Sequence, residues 1–361
     1  MYTSHIRYFL YDIIRFEEFL KVLIIRRKER GIIMKKKGLL CLLIAGAMAL
    51  SACGGGSNDG NTSNFNDEVV MKIDGREIMK SEYMVYLYTT TKSFTTVGGE
   101  DIWTTDFDGQ TADELVEERT LKTLQSVIAA KKYAEDNGIS LSDEQKAEVT
   151  KACEQFITNV PQEDIAKMGI DAESLAPYME GSYIYSLAYK ALAAECEVDE
   201  TEMANYFEDN KAQMKDDYTV LDIDSVVLND LDKANEVVEK AKNGEDFHSL
   251  FEQYDIDENA KQKENGEKMS VYKSQFKSSF GVEDIPEVGQ ITEPIDVDGT
   301  YFVLRLNSVT VPEDSEIKTM SDAAFTSQKQ ADYSDARFEE MMSDQKIEYV
   351  DEVYNNLEKF H

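Results

Sequence analysis

Few side chains in this chain are placed to do chemistry, and the most distinctive is Cys53. It follows the basic start Lys35-Lys36-Lys37, an apolar run and the small-residue ending Leu50-Ser51-Ala52, and Gly54-Gly55-Gly56-Ser57 comes after it. A thiolate is a good nucleophile, so a cysteine in that setting can take up a lipid group. Two further cysteines, Cys153 and Cys196, lie in apolar helical patterns. They read either as free core residues or, outside the cytoplasm, as a disulfide pair. Beyond the leader the histidines are His248 and His361. His248 stands between Phe247 and Ser249 in a helical pattern, where a packing or surface role is the simpler reading. Asp106-Phe107-Asp108-Gly109 lacks the further ligands of a calcium loop. Asp255, Asp257 and Asn259 start one, but Ala260 replaces the glycine and Gly266 the closing glutamate. With no nucleophile elbow, phosphate loop, HExxH or CxxC, hydrolase, nucleotide and zinc chemistries have no support, and no cofactor or metal is expected.

These residues must be positioned by a chain of 361 residues with 42% apolar content, enough to bury a substantial core in two or three domains. Net charge is −33, and residues 1–52 carry ten Lys/Arg against four Asp/Glu, so the remainder stands at −39. Such acidity argues against a nucleic-acid partner and favours a body that does not lie flat on an anionic membrane.

Residues 34–52 have the basic start, apolar run and small-residue end of an export signal, too short for a comfortable membrane span. The ending resembles a bacterial lipobox, which implies that Cys53 is lipid-modified and holds the protein to the outer face of a cell membrane. Residues 1–33 sit oddly before that signal and read as an over-extended start, with translation beginning at Met34. Residues 53–66 lack periodicity and read as a flexible tether.

Val69, Met71 and Ile73 alternate as a strand before an Asp74-Gly75 turn, and Ile78 to Phe94 reads as a helix. Trp103 lies in a loop, as a packing anchor or a contact for a client polypeptide. Leu121, Leu124 and Ile128 mark a helix over 111–137. Ser142 with Gln145 forms a capping box for a second, and Leu175, Met179, Tyr183 and Leu187 stripe a third over 171–195.

Residues 69–87, VVMKIDGREIMKSEYMVYL, and 198–214, VDETEMANYFEDNKAQM, resemble the opening and the linker helix of the SurA/PrsA group of extracytoplasmic foldases. GEDFHSLFEQY, Val288-Gly289-Gln290-Ile291-Thr292-Glu293-Pro294-Ile295 and Gly299 to Leu306 resemble the parvulin sequences GEDFAALAKEYS, VGEVSEPV and GYHIIKL. The resemblance implies an α+β protein: a discontinuous, mainly helical SurA/trigger-factor-like chaperone lobe and a small parvulin-like α/β domain. The lobe is expected over 67–216, the parvulin-like domain over 217–311, and a helix and strand over 312–361 that return to the lobe.

Parvulins twist a prolyl amide, which requires an apolar cradle for the ring and polar groups for the rotating amide. By this resemblance Ser225 and Tyr301 stand where the family has its two histidines, Asp257 stands at the Cys/Asp position, and Phe276 and Phe280 hold the ring. For Asp257 a solvated acid in an acidic loop is the competing reading. Loss of both histidines leaves three functions to weigh. The first is a membrane-anchored extracytoplasmic foldase or chaperone that binds unfolded or secreted polypeptides, with isomerase activity weak or lost. The second is a working isomerase using Ser225, Asp257 and Tyr301. The third is a solute-binding lipoprotein, whose alternating strand–helix pattern over two lobes is absent.

Overall fold

The computed structural model describes residues 65–361 apart from 108 and 283. Cys53, the export signal, the segment before it and most of the tether lie outside the described residues. The described residues form two compact units, one of residues 65–196 with Gln330–His361, the other Glu197–Lys329. The fold is α+β, and among the described residues no helix is long and apolar enough to cross a membrane.

The first unit opens with a hairpin of β1 (Val69–Ile73) and β2 (Arg76–Met79). Asp74 and Gly75 both take positive φ, 50° and 79°, as a two-residue turn with the twist of its flanking strands requires. Ile78, which the sequence reading places in a helix, pairs instead with Met71 and is fully buried, and α1 (Lys80–Gly98) begins after it. α2 (Ala112–Asp136), α3 (Asp143–Asn159), α4 (Gln162–Met168) and α5 (Ala172–Glu195) follow. Ser142 and Gln145 do form a capping box at the start of α3, and Thr111 with Glu114 forms another at α2. Leu124, Val127, Met168 and Leu175 are buried with β1 and α1 in one core. Trp103 packs on that core through a stacked contact with His361, ring centroids 4.0 Å apart. No disulfide joins Cys153 to Cys196.

The second unit starts with α6 (Glu200–Asp217) and β3 (Val220–Leu228), followed by α7 (Leu231–Lys242), α8 (Phe247–Tyr254) and α9 (Glu258–Lys261). β4 (Lys268–Tyr272), α10 (Lys273–Phe280), β5 (Ile295–Val297) and β6 (Thr300–Thr310) complete an antiparallel sheet of order β4-β3-β6-β5. A second positive-φ pair, Asp298 at 52° and Gly299 at 82°, closes the β5–β6 hairpin. α7 and α8 cover one sheet face, with Ala234, Val237, Val238, Phe247 and Phe251 on Val226, Leu228 and Val303. α10 covers the other, with Phe276 and Phe280 on Leu221, Ile223, Leu304 and Leu306.

α11 (Asp314–Ser343) starts earlier than the 321 expected from its pattern. Its first half belongs to the second unit with α6: Lys211 and Lys215 both pair with Asp314, and Tyr206 packs on Phe325. Its second half buries Phe338 and Met342 against Ala129, Ala130, Tyr185 and Leu192 of the first unit. β7 (Ile347–Tyr349) then pairs antiparallel with β1, giving the sheet order β2-β1-β7, and α12 (Asp351–Tyr354) follows. The helical lobe is therefore discontinuous in sequence.

Candidate functional site

The β3–β6 pairing decides which predicted residues can meet. Ser225 lies opposite Leu304, and Tyr301 lies opposite Leu228. Leu304 belongs to the cluster under α10, whereas Leu228 belongs to the cluster under α7 and α8, against which Tyr301 itself packs. Side chains alternate along a strand, so Ser225 and Tyr301 face opposite sides of one sheet. The two do not share one face of the sheet.

Asp257 is at neither place. It is exposed and caps α9, accepting hydrogen bonds from the Asn259 and Ala260 backbone N–H groups at 2.9 and 3.2 Å. Its own N–H donates to Asp255 Oδ1 at 2.7 Å. Asp255 also accepts from Val227 N–H at 2.7 Å, and burial pushes its carboxyl above the usual range. This aspartate pair fastens the loop after α8 to the end of β3.

Other polar groups of the sheet are also paired. Asp224, buried on the α7–α8 side, receives Arg305 and Asn307, and Arg305 lies over the Phe247 ring at 4.9 Å. Asn307 is the extra residue of a bulge opposite Asp222 and Ile223. Asp222 accepts from Ser270 and Ser308 hydroxyls at 2.5 and 2.6 Å, which hold its carboxyl below the usual range. His248 Nδ1 lies 3.1 Å from Glu267 Oε2, on the helix that covers the Tyr301 face.

Phe276 and Phe280 are brought together, their ring centroids 5.0 Å apart. Phe276 is fully buried, while both help line a cavity of about 530 Å³ at the C-terminal end of α10. Val282, Ile285, Pro286, Pro294 and Ile295 complete its apolar walls. Ser225, Asp257 and Tyr301 do not line it. Gln290, Thr292 and three carboxylates also line it, and a recess of this size takes one or two side chains of an extended polypeptide.

Comparison with known proteins finds similarity to foldases. The foldase protein PrsA of Caldanaerobacter subterraneus subsp. tengcongensis is 21% identical over 322 residues, which span 87% of this chain and 96% of that protein. The foldase protein PrsA of Oceanobacillus iheyensis is 24% identical over 288 residues, 78% of each chain. The chain is PrsA-like. Among solved structures, PrsA from Streptococcus pneumoniae aligns at a TM-score of 0.40 with 20% identity, over 66% of this chain and 92% of that one. No protein-family model matches the chain.

In this PrsA-like chain the aromatic that does share a face with Ser225, Phe276 and Phe280 is Phe302. It pairs with Ile295 and Val227, and its ring meets Phe280 edge to face. Tyr301 and Phe302 differ by one strand position and so face opposite sides of the sheet, because the strand repeat is two residues.

Proposed function

We propose that this protein is a membrane-anchored extracytoplasmic folding factor that binds unfolded secreted polypeptides and has lost most or all prolyl isomerase chemistry. One observation carries the second half of this reading: Phe276 and Phe280 of α10 pack with Phe302 of β6 beside the cavity, Asp257 and Tyr301 are elsewhere, and Ser225, on the same sheet face, is buried and does not line the cavity. A prolyl ring would find an apolar cradle there, but none of Ser225, Asp257 and Tyr301 lines the cavity to meet the rotating amide. The similarity to foldases named PrsA supports the binding half. The lipobox-like ending at Cys53 and the acidity of the body support an anchored, extracytoplasmic location.

Two measurements test the proposal together. The purified chain should suppress aggregation of a chemically unfolded secreted protein in proportion to its concentration. At catalytic amounts it should leave a proline-limited refolding phase unaccelerated. Failure in the first removes the chaperone reading, and acceleration in the second restores the isomerase. Metabolic labelling with palmitate, lost in Cys53→Ala, tests the anchor.

A further inference from the structure

The cavity beside α10 has an apolar floor but an acidic rim. Asp284, Glu293 and Asp296 line it, and among the described residues no lysine, arginine or histidine does. All three are exposed. Glu293 is partly neutralised by Lys242, whose Nζ lies 2.5 Å from Oε1. Asp296 Oδ1 accepts the Gly299 N–H at 2.8 Å, a contact that fixes the carboxylate without cancelling its charge. Asp284 enters no ion pair among the described residues. The walls beneath, from Phe280, Ile285, Pro286, Pro294 and Ile295, are suited to an apolar side chain or a prolyl ring.

We infer that this cavity selects polypeptide segments in which a proline or large apolar residue is flanked by lysine or arginine, the apolar residue entering the recess and the cations meeting its carboxylate rim. The inference rests on the reading of the protein as a polypeptide-binding folding factor. It adds what that reading lacks, a preference among sequences. Charge complementarity is the argument for this occupant: an anionic segment would meet uncompensated like charge at the rim, and a neutral one would gain only the apolar contact. Rim charges are exposed and screened, so the preference must be salt-sensitive.

The test uses the full chain and two fluorescein-labelled peptides with the same Phe-Pro centre, one flanked by lysines and one by serines, followed by fluorescence anisotropy. At about 0.05 M salt the lysine peptide should bind about fivefold more tightly, and at about 0.5 M salt the advantage should largely vanish. The variant carrying Asp284→Asn, Glu293→Gln and Asp296→Asn should bind both peptides alike, with the serine peptide unchanged. A second variant, Glu144→Gln with Glu148→Gln and Glu154→Gln, removes as much charge from exposed positions of α3 and should keep the preference. Equal binding of both peptides by the unaltered chain overturns the inference and leaves the polypeptide-binding reading intact. Loss of preference in the α3 variant also overturns it, assigning the effect to the general field of the acidic body. Binding of neither peptide removes the inference and polypeptide capture by this cavity together.

Discussion

Phe280 and Phe302 meet edge to face, ring centroids 5.3 Å apart and planes at 72°, and this contact joins α10 to β6. It fills with hydrocarbon a sheet position from which a polar group could otherwise reach an amide. Because strand residues alternate, Tyr301 faces away from this contact, under α7 and α8. The arrangement suits holding an apolar side chain better than rotating a peptide bond.

If Ser225, Asp257 and Tyr301 have no catalytic part, Ser225→Ala, Asp257→Ala and Tyr301→Phe should each change a proline-limited refolding rate by less than about twofold, whereas losing a group that stabilises a transition state costs about 100-fold or more. Stopped-flow refolding of a client with a slow prolyl phase reads this directly. A large loss in any one variant returns that residue to the site.

Phe276 and Phe280 should separate when substituted. Phe276 is fully buried between α10 and the sheet, so Phe276→Ala should lower unfolding stability by about 3–5 kcal/mol. Phe280 faces the cavity, and Phe280→Leu should cost only about 1 kcal/mol while weakening capture of apolar peptides. Urea titration gives the first quantity and peptide anisotropy the second.

Local chemistry was legible in the sequence wherever one element announced itself. The Ser142–Gln145 box and the Asp74-Gly75 turn appear where their residue types require, because capping and positive φ are decided within four residues. β2 was hidden: four residues between a turn and a helix carry too little alternation to count. Leu231, the first residue of α7 after its Asp230 cap, is 47% exposed, and the buried stripe runs through Ala234, Val237, Val238 and Ala241. Of the candidate site residues, Phe276 and Phe280 come together, whereas Ser225 and Tyr301 face opposite sides of the sheet and Asp257 is exposed. Phe276 and Phe280 follow a helical repeat that tolerates small errors, but Tyr301 and Phe302 differ by one strand position and hence by a whole face.

The returning segment should be essential to the first unit. β7 pairs Ile347 with Ile73, and Phe360, 4% exposed, packs edge to face on Tyr88 with centroids 5.1 Å apart. Phe360→Ala should therefore destabilise that unit by about 3–5 kcal/mol. Hydrogen exchange should show the loss at β1 and α1, with β3 and β6 protected as before. Equal loss of protection in β3 and β6 would contradict the assignment of Phe360 to the first core.

The start of α11 carries a pH signature. Lys211 and Lys215 hydrogen-bond Asp314 and hold its carboxyl at about 2, down from the ordinary 3.8. A carboxyl held below its unfolded value favours the folded state when ionised, so its contribution is complete above about pH 5. It is lost as the pH falls through 3.8 toward about 2. The carboxylate is exposed, so the contribution is small and falls with added salt. Asp314→Asn should lower the melting temperature of the second unit slightly at neutral pH and low salt. The difference from the unaltered chain should shrink progressively below pH 4 and be mostly gone once the pH falls below about 2. Circular dichroism melts across that range measure it. A difference that persists undiminished at pH 2 would mean that shape or neutral hydrogen bonding at this position, rather than the ionised carboxylate, supports the junction of α6 with α11.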